Sequence, residues 1–196
     1  MGFSTKVRNF LWERYLRIDT RVTLPGSKED GGHYATINYH SIFKILKYLS
    51  PKPSESLVDI GCGKGRVVCC AATAGFGRVA GAEFDQDLAN AARGNIQRLR
   101  GGHAQANIIQ GAAENLSYQD FSVHYHFNPF GAETLKKLLS KLILDLRSDS
   151  EMVIVYVFPL HKAQFDELGF RVIEHWKRGN QISEHDVIFY APPKRK

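Results

Sequence analysis

Long apolar runs are missing from this sequence. Nothing in its 196 residues approaches the roughly 20 consecutive apolar positions that span a bilayer. Lys6 and Arg8 precede an amphipathic segment where a signal peptide would place its apolar core. The sequence therefore predicts no membrane association and a cytoplasmic location. Cysteine is scarce as well: Cys62, Cys69 and Cys70 are an odd number in one short stretch, which suits reduced core thiols better than a disulfide framework. A zinc site would need a further well-spaced Cys or His set, and none of the eight histidines supplies one beside these thiols. No metal site is expected. Internal repeats and low-complexity segments are also absent.

What remains is ordinary globular composition, 43% hydrophobic and 23% charged, in a length that suits one domain with one core. Lys and Arg outnumber Asp and Glu by 26 to 20, a formal charge of +6. That excess would help attract an acidic partner such as nucleic acid, but the sequence scatters the basic residues instead of gathering them into a stripe. The tail Pro192-Pro193-Lys194-Arg195-Lys196 has the composition of a solvated terminus.

Phe3, Val7, Phe10, Leu11, Tyr15 and Ile18 recur at helical spacing and predict an amphipathic docking helix. Leu24 to Gly32 has loop composition and reads as a mobile segment or a lid. A helix follows from about Asn38 to Leu49, ended by Pro51 and Pro53. From Ser56 onward short apolar runs alternate with helical patterns, the mark of a parallel sheet with crossover helices. The strands read as 57–60, 78–82, 106–110, 123–127, 152–158, 170–176 and 186–190, and the helices between them as 66–74, 86–99, 132–146 and 162–168. Polar residues separate the last two strands, which predicts an antiparallel hairpin at one edge.

Three motifs carry chemistry. Val58-Asp59-Ile60-Gly61-Cys62-Gly63-Lys64-Gly65-Arg66 ends a strand, crosses a glycine turn and enters a helix, so the backbone of Gly61, Cys62, Gly63 and Gly65 can approach a ligand closely. Asp59 at the strand end would repel a pyrophosphate and favour a cationic ligand, one with an ammonium and a sulfonium, so S-adenosylmethionine fits better than NAD. Lys64 is followed by Gly65 and not by Ser or Thr, which excludes an NTPase phosphate loop. Second, Gly81-Ala82-Glu83 lies about twenty residues on, where a carboxylate accepts ribose hydroxyls in nucleotide-binding α/β folds; Asp85 reads as the N-cap of the next helix. Third, His126-Phe127-Asn128-Pro129-Phe130-Gly131 ends the fourth strand. The Asn128 side-chain oxygen and the Pro129 carbonyl can accept hydrogen bonds from a substrate N–H, while Phe130 covers the acceptor.

In order and spacing these motifs resemble the class I S-adenosylmethionine-dependent methyltransferases over roughly residues 55 to 191. More narrowly, Asp59 to Val68 with Phe127 to Gly131 looks like a bacterial branch distantly related to the non-SET histone-lysine methyltransferases. The resemblance implies a Rossmann-like α/β fold, a seven-stranded, mostly parallel sheet with helices on both faces. It implies N-terminal helices and a lid over 1–54, a cofactor-binding domain over 55–191 and a basic tail over 192–196. In the family the glycine turn holds the methionine part of S-adenosyl-L-methionine, the acid after the second strand holds ribose, and the fourth-strand motif faces the methyl. Tyr34 and Thr36 resemble lid residues of the related branch.

Two departures bear on this. Gly111-Ala112-Ala113-Glu114 replaces the family's Gly-Asp-Ala, so adenine contact passes to the Ala113 backbone, Glu114 or Asn115. The fourth-strand motif lacks the second proline of the amino-directed Asn-Pro-Pro-Tyr form, so nitrogen is only the favoured acceptor atom. A hydroxyl acceptor would need a general base, for which His124, His126 and His161 stand at or near strand ends. The expected reaction is in-line methyl transfer with Asn128, Pro129 and Phe130 aligning the nucleophile. The rivals are a sugar or small-metabolite O-methyltransferase, a dehydrogenase, which Asp59 disfavours, and a binding module that has lost its chemistry. Protein, nucleic acid and small molecule all stand open as acceptor, and the oligomeric state is not legible.

Overall fold

A computed structural model describes residues 3–21, 35–102, 104–146, 152–179 and 183–194; the expected mobile segment or lid over Leu24 to Gly32 and Tyr34 lie outside them. The strands are β1 (Ser56–Ile60), β2 (Arg78–Glu83), β3 (Gln105–Gln110), β4 (Val123–Phe127), β5 (Val153–Val157), β6 (Arg171–Trp176) and β7 (Val187–Ala191). The helices are α1 (Phe3–Leu16), α2 (Tyr39–Leu49), α3 (Arg66–Ala72), α4 (Gln86–Arg98), α5 (Ala132–Asp145) and α6 (Ala163–Glu167). All seven strands join one sheet of order β3-β2-β1-β4-β5-β7-β6. β1 to β5 pair in parallel, and β7 inserts antiparallel between β5 and β6.

The order of burial explains the order of strands. Every residue of β1 is buried, as expected of a central strand covered on both faces, whereas β3 alternates with exposed positions at one edge. One face of the sheet packs against Tyr39, Ile42, Ile45 and Leu46 of α2 and the buried α3. The other packs against Leu135, Leu138, Leu139 and Leu142 of α5 and Phe165 of α6. Helix ends follow local chemistry. Asn38 Oδ1 accepts the Ser41 N–H at 2.8 Å, and Asp85 caps α4 by accepting from Asp87 and Leu88 at 2.9 and 3.0 Å. No helix among the described residues is long and apolar enough to cross a membrane.

The first helix departs from its periodicity. Val7, Phe10, Leu11 and Tyr15, the face expected to dock, are 42–59% exposed. The face turned inward carries Trp12, Glu13 and Leu16. The reason is a buried ion pair that an apolar pattern cannot register. Glu13 Oε1 accepts from Arg66 Nη2 at 3.1 Å, with both side chains buried, and Trp12 packs its ring 4.5 Å from that of Phe43.

Arg66, at the first position of α3, has a hydrogen-bond partner at each of its three nitrogens. Its Nε donates to Thr20 Oγ1 at 2.7 Å, Nη1 to the Ile37 carbonyl at 3.0 Å, and Nη2 also to the Thr20 carbonyl at 3.2 Å. The guanidinium lies 4.5 Å from the centre of the Tyr39 ring. Glu13→Ala strands this charge and should cost about 3–5 kcal/mol, whereas Leu11→Ala on the exposed face should stay within about 0.5 kcal/mol. Urea unfolding of the two variants checks this contrast.

Candidate active site

Parallel strands joined by crossover helices end at one edge of the sheet, and ligands gather there. The glycine turn lies at that edge between β1 and α3. Gly61, Gly63 and Gly65 all have left-handed backbones, with φ of 78°, 54° and 78°. Gly61 has a second reason to lack a side chain: a Cβ would sit 2.5 Å from Pro129 Cβ. The close approach of these two residues holds the first and third motifs together.

The acid after β2 is fixed on both oxygens. Glu83 Oε2 accepts the Gly63 N–H at 2.7 Å, and Oε1 accepts the Asp85 N–H at 2.9 Å. Each oxygen keeps a free lone pair, so the carboxylate is oriented without being used up. Asp59 is buried at the end of β1; desolvation first, and the nearby Glu83 carboxylate second, push its pKa well above the usual range. Cys62 is buried beneath the turn against Gly81, and its thiol is pushed well up by burial, then by Asp59 and Glu83. This is a packing thiol, not a nucleophile.

Ala113 begins a single 3-10 turn, Ala113–Asn115, after β3, and its carbonyl accepts the Tyr118 hydroxyl at 2.9 Å. The Gly111 N–H donates to the Glu83 carbonyl at 2.9 Å, which sets this turn beside the second motif. Thr36 lies next to Ile37, whose carbonyl Arg66 holds.

Asn128 and Phe158 follow directly on β4 and β5, which pair Phe127 with Val157. Both have left-handed backbones, φ 39° and 53°, a conformation that costs non-glycine residues about 1–3 kcal/mol each. Asn128 Oδ1 accepts the Tyr156 hydroxyl at 2.9 Å, and that hydroxyl accepts the His161 N–H at 3.3 Å. Sequence reading missed Tyr156 as the group that fixes the Asn128 amide. Its place inside an apolar strand gave no sign of a polar task.

The histidines are redistributed. His124 and His126 are fully buried on the α5 face, near Tyr118 and Tyr156. Burial keeps both rings from a substrate and depresses their pKa values to about 4 and about 3. His185, which the motif reading passed over, sits at the functional edge. Its ring centre is 4.9 Å from Phe158 and 5.3 Å from Phe127, and partial burial lowers its pKa. A signal existed: a final antiparallel strand starts at the edge where parallel strands end, so the loop before it must reach the site. Among the described residues no group of three or more His, Cys, Asp or Glu could hold a metal ion.

A family model described as a methyltransferase domain matches residues 57–147. Among solved structures the chain is similar to an RNA methyltransferase from Salinibacter ruber in complex with S-adenosyl-L-homocysteine, at 20% identity and TM-score 0.66, covering 83% of this chain and 96% of that one. It is also similar to a TehB-like SAM-dependent methyltransferase from Corynebacterium glutamicum, at 14% identity and TM-score 0.60, covering 80% and 89%. A third is a SAM-dependent methyltransferase from Geobacter sulfurreducens in complex with S-adenosyl-L-homocysteine, at 18% identity and TM-score 0.58, covering 71% and 67%. No curated protein matches the sequence.

Both ring nitrogens of His126 are buried without a partner, so His126→Phe should be neutral or stabilising at pH 7. Folded His126 stays neutral down to about pH 3, whereas the unfolded chain takes up the proton near pH 6.5. Its contribution is complete above pH 6.5 and lost as pH falls from there towards about 3. In that window His126→Phe should flatten the fall of stability by up to about 1.4 kcal/mol per pH unit, as read from denaturant midpoints.

Proposed function

We propose that this chain, whose residues 57–147 match a methyltransferase-domain model, is a class I S-adenosylmethionine-dependent methyltransferase whose site transfers the methyl group to a nitrogen held at Asn128 and Pro129. The observation that carries the proposal is the joining of three motifs at one edge. Glu83 is tied to Gly63, and Gly61 is pressed against Pro129. The donor set fits the cofactor: a carboxylate with lone pairs free for ribose, a second carboxylate for a cationic ligand, and a glycine turn whose backbone a ligand can approach closely. Glu83 binds the ribose hydroxyls, Asp59 serves the positively charged methionine part, and the backbone of Gly61, Cys62, Gly63 and Gly65 lines it. The Ala113 turn borders the adenine end.

S-adenosylmethionine supplies a sulfonium methyl that moves in line to the acceptor lone pair. Asn128, held by Tyr156, and the Pro129 carbonyl orient the acceptor, and Phe130 covers it. His185 receives the proton that the acceptor gives up. The same histidine favours a second reading, O-methylation of a sugar or small metabolite, because a hydroxyl acceptor needs a neutral base. Helices α1 and α2 flank the glycine turn through Arg66, and the buried free thiols suit a cytoplasmic location.

Calorimetry with S-adenosylmethionine and S-adenosylhomocysteine tests the proposal. Glu83→Gln should weaken both ligands about tenfold or more, since hydrogen bonds to a charged group contribute about 1.5–3 kcal/mol, while Asn128→Ala should leave binding intact. Affinity should tighten with rising pH as Asp59 loses its proton, and Asp59→Asn should flatten that profile. Absence of binding by the native chain would overturn the proposal. Binding without tritiated methyl transfer to protein, RNA or small-molecule fractions would reduce it to a binding module.

A further inference from the structure

Four arginines that the sequence scatters come together at one recess. A recess of about 590 Å³ opens between α1 and the end of α4, lined by Phe10, Arg14, Arg17, Arg21 and Arg98 together with Ile18. Two acids also line it, and each is already engaged: Glu13 with Arg66 at 3.1 Å and Asp19 with Arg21 at 2.8 Å. Among the described residues no carboxylate pairs with Arg14, Arg17, Arg98 or Arg100. Arg98 donates only to the neutral Asn95 amide, at 2.8 Å, and the Arg100 guanidinium lies 5.6 Å from the centre of the Tyr15 ring.

Phe10, more than half exposed, lines the recess beside these cations, while Tyr15, equally exposed, lies on the other flank of α1 towards Arg100. An exposed ring among unpaired arginines offers two things at once, a planar face for stacking and charges for phosphate. We infer that the groove between α1 and the end of α4 binds a single strand of nucleic acid, with Arg14 and Arg17 on its phosphates and Phe10 against a base. A second copy of the chain fits worse, because two such faces would oppose arginine to arginine. A bilayer fits worse too, since the cations line a recess and not the rim of a flat apolar plane. The inference does not rest on the methyl-transfer reading, as none of these residues belongs to the site at the strand ends.

Fluorescence anisotropy with a labelled oligouridylate tests it on the full chain. Binding should weaken steeply with added salt. Arg14→Glu should weaken it about tenfold or more, and Phe10→Ala by about tenfold. Both variants should keep the native melting temperature and the native affinity for S-adenosylmethionine, which separates loss of the surface from loss of the fold or of the cofactor site. The inference is overturned if the oligonucleotide does not bind or binds all variants equally. It is also overturned if phosphatidylserine vesicles bind where the oligonucleotide does not, or if sedimentation velocity shows a dimer that Phe10→Ala dissolves.

Discussion

The Arg66 guanidinium is the group on which the arrangement of this protein turns. A buried charge persists only when paired and fully hydrogen-bonded, and Arg66 finds its partners in three separate places: Glu13 on the first helix, Thr20 after it, and Ile37 before the second. Because Arg66 immediately follows the glycine turn, satisfying it draws residues 13–20 and 37 over that turn. Lys64 and Asn95 extend the same clamp. Lys64 Nζ donates to the Arg21 carbonyl at 2.7 Å, and Asn95 Nδ2 donates to the carbonyls of Asp19 and Lys64 at 3.0 and 2.9 Å. The rotation of α1, and with it the outward turn of Phe10 and Tyr15, follows from this one requirement.

At the strand ends the structure sets two carboxyl groups and backbone strain in adjacent places. Asp59 and Glu83 stand close enough for one to raise the pKa of the other, an arrangement that a cationic ligand relieves. A few residues away the left-handed backbones of Asn128 and Phe158 sit side by side on neighbouring strands. Neither would persist without surroundings that hold it, and the Tyr156 hydroxyl supplies part of that hold for Asn128. The carboxyl pair lies at the ends of β1 and β2, and the strain at the ends of β4 and β5. Pro129 against Gly61 joins them.

The sequence by itself determined the sheet, its helices and the glycine turn that meets Glu83 at the strand ends, because each rests on local signals. Apolar runs bounded by glycine and proline marked the strands to within a residue or two, Asp85 announced its own cap, and the glycine spacing and the distance to Glu83 follow from how a strand must turn into a helix. Tertiary structure alone decided the rest. The facing of α1 depends on Glu13 meeting an arginine 53 residues away, which no periodicity encodes. The sidelining of His124 and His126 depends on which face of β4 they occupy. The place of His185 depends on β7 entering between β5 and β6, and the arginine groove depends on α1 lying beside the end of α4. Each of these is a contact between distant residues, and such contacts exist only once the chain has closed around them.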